Sequence, residues 1–259
     1  MNIGVSTACL YPEETEKAVA KLCGAGFKRL EIFFNTFREL EEDYLKELKA
    51  IAGAYGARAV SIHPFTSGYE PMLLFSRYGR RFEDGAELYR RYYNAANIMG
   101  ADVVVLHGDF IEGVLSAEEY CERFAVLRDL AKTHGVRLAQ ENVVRFRAST
   151  LENIEKMKEY LGGDVCFILD VKQAVRSGVS PVAMAKAMGR GIVCVHVNDQ
   201  HPGGKCLLPG RGGTDFAEIK AALSENGADV PWIIEVYREN FESVDEITKS
   251  MMYLEKVIK

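Results

Sequence analysis

The chain has no run approaching the ~20 consecutive apolar residues that a membrane-spanning helix needs, and its opening Met1-Asn2-Ile3-Gly4-Val5 lacks the charged segment and long apolar stretch of a secretory signal. The reading is a soluble, cytoplasmic protein with no membrane partner. Closely spaced cysteine pairs are also lacking. The six cysteines stand at Cys9, Cys23, Cys121, Cys166, Cys194 and Cys206, without the spacing of a structural zinc site, so reduced thiols are expected. There is no excess of positive charge. A net charge of -5 gives no global attraction to phosphate backbones, and nucleic acid is not expected as a partner. No internal repeat, low-complexity segment or inter-domain linker stands out.

What the chain does contain is alternation. Short apolar runs at Ile3 to Ser6, Arg29 to Phe33, Ala59 to Ile62, Val103 to Leu106, Arg137 to Gln140, Cys166 to Leu169, Ile192 to Val197 and Trp232 to Ile234 read as strands, and polar, helix-compatible stretches separate them. Pro12-Glu13-Glu14 suits the start of the first helix, and Ser116-Ala117-Glu118-Glu119 is a capping box for the fourth. Strands buried on both faces and separated by helices pair in parallel through right-handed crossovers. Eight such units in 259 residues match the roughly 250 residues of a (β/α)8 TIM barrel, so we expect an α/β chain forming one such domain over 1–259. A doubly wound open sheet is the competitor, but it would usually bring a glycine-rich phosphate turn after the first strand. Here that position reads Thr7-Ala8-Cys9-Leu10.

Glu141, Asp170, His196 and Glu235 each follow one of these runs, as do His63 and His107. Equivalent strand ends converge at the mouth of a barrel, so such a set can close on one divalent metal. Three carboxylates and an imidazole form a mostly hard oxygen site that leaves positions open for substrate oxygens, and the donors also admit zinc. The competing reading is ordinary polar capping at strand ends. Long connections after the third strand (64–80) and the seventh (198–215) leave the same end of the barrel.

The ordered set Ser61-Ile62-His63-Pro64, Val105-Leu106-His107, Gln140-Glu141-Asn142, Ile168-Leu169-Asp170, Val195-His196-Val197-Asn198-Asp199, Leu208-Pro209-Gly210-Arg211-Gly212 and Ile234-Glu235-Val236 resembles the xylose-isomerase-like barrel superfamily over essentially the whole chain. That superfamily holds sugar isomerases and epimerases, ketose 3-epimerases among them, together with inosose dehydratases and apurinic-site endonucleases. The resemblance implies that Glu141, Asp170, His196 and Glu235 hold one divalent metal, manganese first. It also implies that Glu141 and Glu235 flank a sugar carbon, one removing its proton and the other returning it through a metal-stabilised enediolate. The expected activity is a metal-dependent isomerase or epimerase acting on a small sugar, sugar phosphate or polyol ketone. The alternatives are an inosose-type dehydratase, an apurinic-site nuclease and a non-catalytic sugar-binding barrel. Relatives often form dimers or tetramers, so a homo-oligomer is an open expectation.

His63, His107, Lys172, Arg211 and Glu31 are candidate substrate contacts: Lys172 for an oxyanion or a phosphate, the histidines against a structural role, Arg211 against a solvated loop arginine, and Glu31 against pairing with an internal arginine. The nuclease branch needs a histidine three residues after the sixth-strand aspartate, where this chain has Gln173, and an Asp-x-His in the seventh loop. Asp199-Gln200-His201 has those letters but follows the strand directly. The aromatic stretch Tyr89 to Tyr93 reads as helix packing rather than base stacking.

Overall fold

The computed structural model describes residues 2–201 and 206–259; Met1 and residues 202–205 of the seventh loop lie outside the described residues. Eight parallel strands, β1 (Ile3–Ser6), β2 (Arg29–Phe33), β3 (Arg58–His63), β4 (Val103–Leu106), β5 (Arg137–Glu141), β6 (Cys166–Asp170), β7 (Ile192–Val197) and β8 (Trp232–Ile234), close into a barrel. Closure runs through β1 and β8, where Ile3, Gly4 and Val5 pair with Trp232, Ile233 and Ile234. The principal helices are α1 (Thr15–Gly24), α2 (Glu42–Ala54), α3 (Gly79–Met99), α4 (Ala117–Thr133), α5 (Leu151–Leu161), α6 (Pro181–Met188), α7 (Phe216–Glu225) and α8 (Val244–Val257).

Both faces of the sheet are apolar because both are buried. Val60, Val103, Val105, Ala139, Ile168, Val193, Cys194 and Ile233 fill the barrel interior, while a larger cluster packs the outer faces of the strands against the helices. The interior set fixes the candidate ligands through the period-two geometry of a strand. Glu141 stands two residues after Ala139, Asp170 after Ile168, His196 after Cys194, Glu235 after Ile233 and His107 after Val105. All five therefore inherit the inward direction and end at one rim.

β3, β5 and β6 each run one residue past the apolar stretch, so His63, Glu141 and Asp170 are last residues of strands rather than first residues of loops. α1 begins at Thr15, with Glu14 as its cap, instead of at Pro12. The Ser116 capping box is present, with the Ser116 hydroxyl accepting from the Glu119 N–H. Tyr89, Tyr92 and Tyr93 are buried in α3, so the aromatic stretch belongs to the core. None of the described helices is long and apolar enough to cross a membrane.

Candidate active site

At the C-terminal rim, ligand atoms of Glu141, Asp170, His196 and Glu235 lie within 4.8 Å of one another. Neighbouring strands supply the pieces: Asp170 and His196 are register partners across β6 and β7, and His196 partners Ile233 of β8. The β5 and β6 ends are tied by Asn142, whose amide donates to the Asp170 carbonyl at 3.0 Å and accepts from the Asp170 N–H at 2.7 Å.

Each donor is oriented from behind. His196 Nε2 lies 2.9 Å from Glu31 Oε2, and Ser61 donates to that same oxygen at 2.8 Å. With Nε2–H donating to Glu31, Nδ1 is the nitrogen that faces the cluster and can bind a cation on giving up its proton. Asp170 Oδ1 caps the short helix Val171–Arg176 by accepting from the Gln173 N–H at 2.9 Å, which leaves Oδ2 for the centre. Glu141 Oε2, Asp170 Oδ2 and His196 Nδ1 are buried and lack a hydrogen-bond partner. Buried polar atoms without partners are costly, and here three of them converge. His107 Nε2 does approach Glu141 Oε2 to 3.1 Å, but off the hydrogen-bonding direction; its directed contact is with His63 Nε2, at 3.2 Å. The donors' number, hardness and orphaned state fit one divalent cation.

The charges point the same way. Burial disfavours the Glu141 carboxylate, but His107, His196 and His63 override it and hold the group well below the usual carboxylate range. Glu235 is brought down to about 2, with Lys172 and His196 outweighing burial. Asp170 goes the other way, raised to about 6 by burial and by Glu141 and Glu235 against the pull of Lys172. His63 is raised to about 9, since the nearby glutamates outweigh its burial.

Lys172 reaches into the cluster, with Nζ 3.4 Å from Glu235 Oε2 and 3.5 Å from Asp170 Oδ2. Its ammonium lies 4.9 Å from the centre of the Tyr237 ring. Beside it opens a cavity of about 300 Å³ lined by Tyr11, Phe33, Lys172, Glu235 and Tyr237. His63 and His107 sit on the other side of Glu141, and these three form a second group of ligand atoms within 4.8 Å.

Two residues expected at the substrate lie elsewhere. Glu31 is fully buried beneath His196, where it acts on the imidazole rather than on the cavity. Arg211 pairs with Glu246 of α8 at 2.8 Å, a contact on the helical ring. Asp199 is saturated by backbone: Oδ1 accepts from the Gln200 and Thr214 N–H groups and Oδ2 from those of Gly210 and Gly212, at 2.8–2.9 Å. The carboxylate curls the seventh loop around itself, and a Cβ on Gly212 would collide with it. Gln173 accepts from the Val144 N–H at 3.1 Å and joins the fifth and sixth loops.

Glu70, which no motif marks, is buried in the third loop, accepts from the Tyr89 hydroxyl, and accepts from the Gly108 N–H at 2.6 Å. It fastens that loop to the residue after His107. Cys9 brackets Glu235 from the first loop. Its thiol lies 3.4 Å from the Ile234 carbonyl, to which it donates, and 3.4 Å from the Val236 N–H, from which it accepts. Burial pushes this thiol up to about 12, so it remains a neutral hydrogen-bonding group. Neither residue carries a sequence signal; only the return of distant loops to one rim reveals them.

Barrel, rim and donor set together define the class. The chain belongs to the xylose isomerase-like TIM barrel family, whose model matches residues 19–257. Among solved structures it is similar to a D-psicose 3-epimerase from Clostridium cellulolyticum H10, with TM-score 0.83 and 16% identity over 100% of both chains. A D-tagatose 3-epimerase-like protein gives TM-score 0.81 and 21% identity, covering 100% of this chain and 97% of that one. An uncharacterised protein of Mycobacterium tuberculosis is 26% identical, the match spanning 95% of this chain and 92% of the relative.

Proposed function

We propose that this protein, as one catalytic domain, is a metal-dependent sugar isomerase or epimerase that moves a proton on a ketose through an enediolate. The observation that carries the reading is the convergence of three buried donor atoms that make no hydrogen bond, on Glu141, Asp170 and His196, with Glu235 beside them and only ion-pair contacts among the group. A divalent ion held by these four residues would supply Lewis-acid polarisation of a carbonyl and its neighbouring hydroxyl. Manganese is the first choice for this oxygen-rich set, with magnesium, cobalt or zinc following.

The residues divide the remaining work. Glu141 and Glu235 are both held ionised, so either can accept a proton, and each enters the cluster from a different strand. One removes the proton α to the carbonyl and the other returns it to the opposite face, which inverts the centre. Return to the adjacent carbon would isomerise the sugar instead. Lys172, beside Glu235 and facing the cavity, offsets the oxyanion charge, and His63 and His107 donate to substrate hydroxyls. Tyr11, Phe33 and Tyr237 give the cavity apolar walls that accept the C–H faces of a sugar. Nuclease chemistry is disfavoured because Gln173 and Asp199 are committed to backbone N–H groups.

The test is incubation of manganese-loaded protein with a panel of ketoses in heavy water. Deuterium at the carbon next to the carbonyl, with the substrate otherwise intact, is the expected result, and Glu235→Gln should lower that exchange by at least about a hundredfold. Loss of one water from the sugar would move the reading to a lyase. Absence of exchange across the panel would overturn it.

A further inference from the structure

A second cavity, of about 390 Å³, opens between the fourth and fifth loops and is lined by Phe110, Ile111, Glu112 and Arg145. Its volume lies within the ~300–1,000 Å³ range of small-molecule sites. In the closed strand order, the β4 and β5 ends lie across the barrel from β8 and β1, whose loops frame the cavity beside Glu235. The two cavities therefore flank the carboxylate cluster from opposite sides of the mouth. The second is linked to the cluster by contacts: the Phe110 ring is 4.7 Å from Phe146, Phe146 is 5.9 Å from His107, and His107 Nε2 is 3.1 Å from Glu141.

The second cavity is built rigidly. Phe110 and Phe146 form a bridge between the loops, and Arg147 pairs with the buried Asp109 behind them. The Ile111 N–H donates to the Arg145 carbonyl at 2.9 Å. Arg145 itself is held at φ 71, the one non-glycine residue with positive φ among those described. A side-chain-bearing residue kept in that conformation at a cavity rim is strain of the kind that accompanies a binding role. Phe110 and Ile111 are 45% and 44% exposed, an apolar surface left open to solvent beside two polar side chains.

We propose that this cavity is a subsite for a second sugar ring, and that the substrate is a keto-sugar glycosylated at the end remote from the reacting carbon. The inference rests on the ketose reading of the carboxylate cluster. An aromatic platform suits the apolar C–H face of a pyranose, and a guanidinium with a carboxylate can donate to and accept from neighbouring hydroxyls. The lining carries one formal positive and one formal negative charge, on Arg145 and Glu112, which fits a neutral ring better than a phosphate. A single monosaccharide leaves one of the two cavities empty.

The test is calorimetric binding of three probes to manganese-supplemented full-length protein: D-fructose, 6-O-glucosyl-D-fructose and D-fructose 6-phosphate. The disaccharide should bind at least about tenfold more tightly than fructose, a modest gain for one added ring. Phe110→Ala and Arg145→Asn should each remove most of that advantage while leaving fructose affinity unchanged. Asparagine tolerates the left-handed backbone, so Arg145→Asn keeps the loop even if Phe110→Ala loosens it. Equal affinity for fructose and the disaccharide, or an advantage that survives both variants, would overturn the subsite while leaving the ketose reading intact. A preference for the phosphate would assign the cavity to an anion and overturn the second-ring inference. Binding of none of the three would overturn the subsite and the ketose reading together.

Discussion

Replacing Glu31 by Gln changes one proton-accepting oxygen and nothing in volume, yet it should weaken metal binding. Glu31 Oε2 lies 2.9 Å from His196 Nε2 and has 0% exposure, so it fixes which imidazole nitrogen carries hydrogen. A carboxylate can only accept, which keeps a hydrogen on Nε2 and makes Nδ1 the nitrogen that gives up its proton to a cation beside Asp170, Glu141 and Glu235. Glutamine can place its NH₂ group at that shared position instead, donating to Nε2 while the Ser61 hydroxyl turns to accept, and the imidazole hydrogen then sits on Nδ1, pointing at the metal site. Loss of an outer partner of this kind costs about 10–100-fold in metal affinity, or about 1.4–2.7 kcal/mol. Calorimetric titration of metal-free protein with manganese measures this directly, with thermal unfolding as the control for fold. Affinity within about threefold of wild type would refute the tautomer argument.

Asp199→Asn should destabilise the protein and loosen the seventh loop. Its amide keeps one accepting oxygen, so two of the four N–H groups from Gln200, Gly210, Gly212 and Thr214 face a donor, a loss of about 3 kcal/mol at about 1.5 kcal/mol per charged hydrogen bond; urea unfolding reads it, and an unchanged midpoint would contradict it. Glu70 gives a pH signature. Burial raises it from 4.5 to about 7, against the pull of nearby imidazoles and hydrogen bonds, so the folded state binds its proton more tightly than the unfolded state does. Its contribution is therefore fully present below about pH 4.5 and is lost as pH rises through about 7, a change of about 3 kcal/mol. The stability of wild type relative to Glu70→Gln should fall by that amount across this window and stay level above it. A flat difference across the window would refute the assignment.

The barrel was legible because its strands are buried on both faces and so read as continuous apolar runs between polar helices. The convergence of Glu141, Asp170, His196 and Glu235 was legible for the same reason: each lies two residues beyond an interior side chain, and strand geometry carries it to the rim. Residues that act through tertiary contacts were not legible. Glu31 was a candidate substrate contact because a strand pattern gives the direction of a side chain but not its depth, and it is fully buried against His196 and Ser61. Arg211 was a candidate substrate contact, but Glu246 of α8 holds it. Glu70 and Cys9 come from loops whose return to the rim no local pattern encodes. Asp199 looked like a fragment of a nuclease motif until its four backbone donors were visible.

The central claim is that four rim residues hold one metal on which a sugar is worked. Metal content per chain, measured by elemental analysis after equilibration with manganese and removal of excess, tests it most directly, with Asp170→Asn in parallel. About one ion per chain is expected in wild type, with loss of that ion in the variant. No bound ion, or a full complement retained by Asp170→Asn, would contradict it.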